Sequence, residues 1–229
     1  MLHGYLPAIV EGLLTSLQVA VLSLAIACIF GLVGAAAKLS NSRAARVVVD
    51  VYTTLIRGIP ELALMLMVFY GGQALLNYLV TKAGGDYIEV PAFTAGVLTI
   101  GFVFGAYMTE TFRGAILAIP KGQMEAALSV GMSRIQVLQR ITLPQMVRHA
   151  IPGFTNNWLI MIKATALVSI IGLDDMMQRA GLAAAATRQP LDFYLAVAAI
   201  YLAITTVSIL LLSRVEKRFS LGVRKAEFK

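Results

Sequence analysis

With 229 residues, 59% of them hydrophobic and 14% charged, and a mean hydropathy of +0.80, the chain is too apolar for a water-soluble globule of its size. Its net charge of +7 calls for no nucleic acid, because the basic residues fall in the loops between apolar runs. The single cysteine, Cys28, excludes an intrachain disulfide and, lying inside the first apolar run, reads as a small filler.

Uncharged runs cover 12–37, 62–81, 90–109, 149–173 with the single break Lys163, and 193–213. Each approaches or exceeds the roughly 20 residues that cross a bilayer as a helix. The pattern predicts an all-α membrane protein with five transmembrane helices in one membrane domain over 1–229, the spans being about 12–37, 62–81, 90–109, 151–173 and 193–213. Lys and Arg number 0, 4, 1, 5, 2 and 6 in the successive segments 1–11, 38–57, 82–89, 110–148, 174–192 and 214–229. The positive-inside rule then places the N-terminus outside, and the 110–148 loop and the C-terminus in the cytoplasm.

The first span would be roughly 39 Å long as a helix and should tilt or project. It is too long for a signal-peptide core and no cation precedes it, so it is expected to be retained. Ala27, Gly31 and Ala35 stand four apart, either a face for close helix approach or incidental small residues facing lipid. Between the first two spans 38–57 reads as a basic loop. Pro60 suits the first turn of the second span, and Glu61 lies where the positive end of the helix dipole favours an anion. Glu61 is thus a helix-end charge or a gate on the cytoplasmic side of a path. Gly101 and Gly105 in the third span again argue for close helix contact, and Glu110 and Arg113, three apart, should pair.

Residues 118–146 are the longest polar interruption. Pro120 suits a helix start, Glu125, Ala126, Ala127 and Leu128 are good helix formers, and Gly131 can stop the helix in the left-handed conformation. Ser133 with Gln136 makes a capping box for a second helix striped by Ile135, Leu138 and Ile141, which Pro144 is expected to end. In the fourth span Lys163 would cost on the order of 2.5 to 3.5 kcal/mol at mid-membrane, so it must face protein or water. Asn156 and Lys163, seven apart, share a helix face. Asn156, Asn157 and Lys163 are candidates for a substrate path; alternatively Lys163 bonds neighbouring carbonyls and holds the bundle together. Trp158 reads as packing. Asp174, Asp175, Arg179 and the alanines 183–186 suggest a short helix near the outer surface, and 214–229 a solvated basic tail that can touch lipid phosphates.

The sequence has no G-x-x-x-x-G-K-[ST] run and no H-E-x-x-H, and His3 and His149 fall on opposite sides of the predicted membrane. A metal site, a nucleotide site or catalysis by this chain alone is therefore not expected.

Several strings together resemble a known family. Glu125-Ala126-Ala127, Gly131, Ile141 and Leu143-Pro144 have the spacing of the coupling loop in permease subunits of bacterial ABC importers. Arg57-Gly58-Ile59-Pro60, Thr109-Glu110-Thr111-Phe112-Arg113-Gly114, Ile119-Pro120-Lys121-Gly122 and Lys163-Ala164-Thr165-Ala166-Leu167-Val168-Ser169 resemble the branch that carries polar amino acids, above all importers of histidine, lysine, arginine and ornithine, with opine importers as near relatives. The resemblance implies the type I importer permease fold in the bacterial inner membrane. It implies a second permease subunit, a related chain in a heterodimer, two copies of a P-loop ATPase that bind ATP and magnesium, and a periplasmic binding protein that delivers the amino acid. Glu125, Ala126, Ala127 and Gly131 would then couple to the ATPase. The competing classes are an ion-coupled secondary carrier, which would show an internal repeat, and an accessory membrane subunit, which would not need the 118–146 loop.

Overall fold

A computed structural model describes residues 4–219, and among them all regular structure is helical. Helices α1 (Leu6–Leu39) and α4 (Ala92–Leu117) form the centre. The two stretches of small residues read from the sequence lie in the same α1–α4 seam, each receiving large side chains of the other helix. A Cβ on Gly31 would stand 2.5 Å from Met108 Cβ, one on Gly101 would stand 2.6 Å from Ile26 Cγ2, and one on Gly105 would stand 2.6 Å from Phe30 Cβ. Gly34 lies in the same seam against Thr109, and Ala27 and Ala35 are buried with it. Backbones this close let dispersion and polar bonds between helices act where lipid removes the hydrophobic driving force. Ser23 Oγ accordingly donates to Val97 O across the seam at 3.1 Å.

Around this pair stand α3 (Glu61–Lys82), α7 (Leu143–Ala164) and α9 (Pro190–Phe219). Five described helices are long and apolar enough to cross a membrane, α7 counting together with its continuations as Arg134–Ile171. Of their apolar windows, 67% of α4 is buried but only 11% of α3 and 6% of α9, so α4 is the axis and the other two present faces to lipid or to other chains.

Two sequence expectations are corrected here. The basic loop 38–57 is mostly a helix, α2 (Arg43–Gly58), capped by Ser42, whose side chain accepts from Ala45 N. Its Thr53 and Ile56 are buried against the bundle, and the Tyr52 hydroxyl donates to Phe102 O at 2.5 Å. The charges Arg43, Arg46, Asp50 and Arg57 lie on one side of this helix, while Val47, Val48, Val51 and Leu55 form an exposed stripe on another. Three faces blur a two-sided pattern, and charge density alone suggested a loop. Nor does Pro144 end the second hairpin helix. The short α6 (Arg134–Val137) widens into a π-turn at Leu138–Thr142 and continues straight into α7. Pro144 falls in the first turn of the resumed helix, where its missing N–H and fixed φ cost least, and the widened turn accommodates its ring.

On the far side, α8 (Met176–Thr187) is the predicted short outer helix, packed with Ile9 of α1 and Phe193 and Val197 of α9. Asp175 caps it, accepting from Gln178 N at 2.9 Å, and Gly12 leaves room for that cap against α1. Arg179 clasps α8 to the start of α1 through Asp174 at 2.8 Å and Glu11 at 2.7 Å. The expected solvated tail begins instead as the end of α9, which carries Arg214, Lys217 and Arg218; residues 220–229 lie outside the described residues.

Candidate coupling hairpin and substrate path

Helix α5 (Lys121–Ser129) carries Glu125, Ala126 and Ala127, and only Ala127 is buried. The turn behind it is a Schellman motif: Met132 N–H donates to Ala127 O at 3.1 Å and Gly131 N–H to Leu128 O at 3.0 Å. This closure requires the left-handed φ of +86° at Gly131. The capping box then starts α6, with Gln136 N donating to Ser133 Oγ at 3.3 Å and Ser133 N to Gln136 Oε1 at 2.8 Å. Gln145 Nε2 reaches back to Gln123 Oε1 at 2.5 Å, fastening α5 to the root of α7. Glu125 is exposed, and Leu128, Val130, Ile135 and Leu138 of the same hairpin expose apolar surface, Val130 to 80%. Exposed apolar side chains on a polar hairpin are the kind of surface that takes part in protein contacts.

The mid-span candidates divide. Glu61, the first residue of α3, is half-buried in a cleft with Ile100, Val103 and Phe104 from the middle of α4 and with Ala164 and Leu167. Two helix breaks therefore meet beside the centre of α4. One is the Ile59-Pro60 joint between α2 and α3; the other is the change at Thr165 from α7 to the 3₁₀ turn Thr165–Ile171. Lys163, penultimate in α7, is exposed on the chain, as is Asn156 seven residues before it. Lys163 and Glu61 make no hydrogen bond or ion pair among the described residues, so Lys163 does not hold the bundle through their carbonyls. A free ammonium, carboxylate and amide at this depth cannot be left to hydrocarbon, so this side faces water or another chain. Asn157 turns the other way. It is buried and donates to Thr111 Oγ1 at 3.0 Å, where the missing Cβ of Gly153 lets α7 close on α4. Trp158 packs against the main core as expected.

One cluster was not foreseen. Lys38, at the end of α1, bonds Glu110 at 2.5 Å, Asp50 at 2.8 Å and Thr53 Oγ1 at 2.7 Å, and Glu110 holds Arg113 at 2.9 Å as expected. The Lys38 ammonium draws the Asp50 carboxyl below its ordinary value. Beside the cluster opens a cavity of about 500 Å³ lined also by Thr54, Tyr107 and Arg57, whose guanidinium stands 5.7 Å from the Tyr107 ring centre. The signal was available: if the small faces of α1 and α4 meet, the charges at their adjacent ends must meet too.

Comparisons with known proteins agree on one family. Residues 27–221 match the model of the binding-protein-dependent transport system inner membrane component. The histidine/lysine/arginine/ornithine transport system permease protein of Escherichia coli is 46% identical over 227 residues, covering 99% of this chain and 100% of that protein. The nopaline transport system permease protein of Agrobacterium fabrum is 41% identical over 223 residues, covering 96% and 94%. The crystal structure of an amino acid ABC transporter with histidines superimposes with a TM-score of 0.79 at 32% identity, covering 93% of this chain and 95% of that one. An inward-facing methionine ABC transporter, 16% identical with a TM-score of 0.75, shares the fold.

Proposed function

The chain belongs to the inner membrane components of binding-protein-dependent transport systems, as a multi-pass permease subunit of an ABC importer, and from that premise we propose that it carries basic amino acids, or the related opines, inward. The observation that carries the mechanism is the continuity of the hairpin with α7. Seated on an ATPase through Glu125 and its exposed apolar side chains, the hairpin would pass closure of the ATPase pair to the span as a rigid-body rotation. That span bears Asn156 and Lys163. ATP and magnesium would be bound by the partner ATPase, present in two copies because two permeases offer two hairpins. The second permease is a related chain, and the sparsely covered α3, together with the exposed Asn156 and Lys163 side of α7, is where it would meet this one. With the hairpin in the cytoplasm, the Lys and Arg bias of the loops sets the N-terminus outside and the C-terminus inside.

An amino acid entering this face brings an α-carboxylate that Lys163 can attract and, if basic, a side-chain cation that Glu61 can balance; Asn156 can bond either end. Asn157 serves the path indirectly, by holding α7 to α4. The assay is reconstitution of the purified importer in proteoliposomes with its binding protein, measuring uptake of labelled arginine, lysine and histidine against glutamine. Lys163→Met should abolish uptake of all, and Glu61→Gln should weaken basic substrates more than neutral ones. Normal assembly and unchanged arginine uptake in both variants would remove these residues from the path. Purification without an ATPase or a second permease would refute the assembly.

A further inference from the structure

The cavity of about 500 Å³ beside the Lys38 cluster is large enough for a small ligand, and its wall combines charges, hydroxyls and an aromatic ring. Two of the charges that line it, Lys38 and Glu110, are bonded to each other, Lys38 also to Asp50 and Glu110 also to Arg113. Arg57 is different. It is exposed, has no hydrogen bond or ion pair among the described residues, and stands only against the Tyr107 ring, 5.7 Å from its centre. Three cations thus stand against two carboxylates, and the uncompensated one is a planar donor fork of the kind that takes a carboxylate at two points.

The place of the cavity gives that charge a use. Ile100, Val103 and Phe104 of the Glu61 cleft and Tyr107 and Glu110 of the cavity recur at three- and four-residue intervals, so one face of α4 carries both. From Val103 to Glu110 is roughly 10 Å along that face, toward the hairpin end of α4. Tyr107 lies between, within electrostatic reach of both Arg57 and Glu61, which flank the Ile59-Pro60 joint. We propose that this cavity is a second station for the transported amino acid, in which Arg57 takes the α-carboxylate once Lys163 releases it; the inference rests on the basic amino-acid path proposed above. Thr54, one turn before Arg57 on α2, adds a hydroxyl donor. Glu61 can keep a cationic side chain during the hand-over, since it borders the same tyrosine. A cation that merely ended a helix would need neither the ring nor the cavity.

The test uses the importer complex in nanodiscs, with Cys28→Ala and Thr54→Cys in this chain; position 54 is exposed, so the exchange leaves the packing alone. The rate at which N-ethylmaleimide modifies the new thiol is read by mass spectrometry of its peptide. Arginine should slow the modification, and agmatine, which is arginine without the α-carboxylate, should protect at roughly ten-fold higher concentration or more, the worth of a charge-assisted bond. Arg57→Gln should raise the half-protecting arginine concentration by about the same factor and leave that of agmatine unchanged, with Arg57→Lys in between. Lys163→Met should leave arginine protection in place. Protection that survives Arg57→Gln but is lost with Lys163→Met comes from the central site; it overturns the second station and leaves the basic amino-acid path standing. Arg57-dependent protection by glutamine but not by arginine keeps the station and refutes the basic cargo. Equal protection by acetate, equal losses for arginine and agmatine in Arg57→Gln, or no protection by any amino acid would each overturn the proposal.

Discussion

The turn at Gly131 allows a test in which backbone and side-chain effects separate. Its φ is +86°, and a Cβ placed on it would meet nothing within 4 Å, so substitution strains the backbone without a steric clash. An L-residue in this conformation costs roughly 1–2 kcal/mol, less for Asn and more for a β-branched residue. The same φ closes the bonds from Met132 to Ala127 and from Gly131 to Leu128, so the strain is relieved by opening both. A change of that size moves the ratio of closed to melted hairpin by a factor of about 5–30. Binding-protein-stimulated ATP hydrolysis by the reconstituted importer should therefore fall in the order Gly131, Gly131→Asn, Gly131→Ala, Gly131→Val, while assembly and basal hydrolysis persist. Ala is smaller than Asn, so a steric effect at the ATPase surface would give the opposite order for those two. Finding Ala better tolerated than Asn would refute the conformational argument.

Other parts of the structure give equally definite expectations. Gly34→Ala drives a Cβ into Thr109, an overpacking that costs typically 1–3 kcal/mol, and Thr109→Ala in the same chain should restore much of the lost thermal stability in detergent. No rescue would mean that the α1–α4 seam is not set by this pair. Lys38→Met leaves Glu110 with Arg113 alone and should lower stability by about 1–3 kcal/mol, part of which returns when Glu110→Gln is added; strictly additive losses would sink the coupling. Burial pushes the Asp175 carboxyl up to about 6 from an ordinary 3.8, and the buried Tyr201 hydroxyl lies close by. The folded chain thus keeps a proton that the unfolded chain has released, so stability falls as pH rises through that window and levels off above it. Asp175→Asn keeps a capping oxygen and should flatten the thermal-unfolding profile between those pH values; an unchanged slope would assign the dependence elsewhere.

What the sequence disclosed depended on whether one element's own pattern carried the information. Length and apolarity located the spans, and the Gly131 turn and the Ser133 box were legible because each is a local device written in adjacent residues. The four-residue spacing of Ala27, Gly31 and Ala35 announced a seam but could not name its partner, which is α4, where Gly31 receives Met108 and Phe112 while Gly101 and Gly105 receive Ile26 and Phe30. Helix α2 escaped because its residues serve the bundle, the charged edge and an open stripe at once. Pro144 misled because the usual rule assumes a regular α-helix, and a π-turn suspends it. Asn156 and Asn157 show the sharpest limit: adjacent and chemically identical, they point in opposite directions, and only the fit of Gly153 against Thr111 decides which one faces outward.

The two helix breaks give the lever something to act on. From Arg134 to Lys163 the helix runs on for roughly 44 Å, through the π-turn and past Pro152 in its interior, so the hairpin and the far end share one helical path. At that end the helix changes to a 3₁₀ turn and meets the start of α3, where Glu61 sits at the positive helix end and Lys163 at the negative end of α7. Each charge is thus partly offset by its own helix and neither is tied to the other among the described residues, an arrangement that would suit the zwitterionic cargo proposed above. The bonds that do hold the structure rigid, Asn157 to Thr111 and the Lys38 cluster, lie about one to two turns from this centre, between the hairpin and the breaks. These contacts stiffen the bundle between the hairpin and the breaks, while Glu61 and Lys163 stand beside the breaks without an ion pair among the described residues.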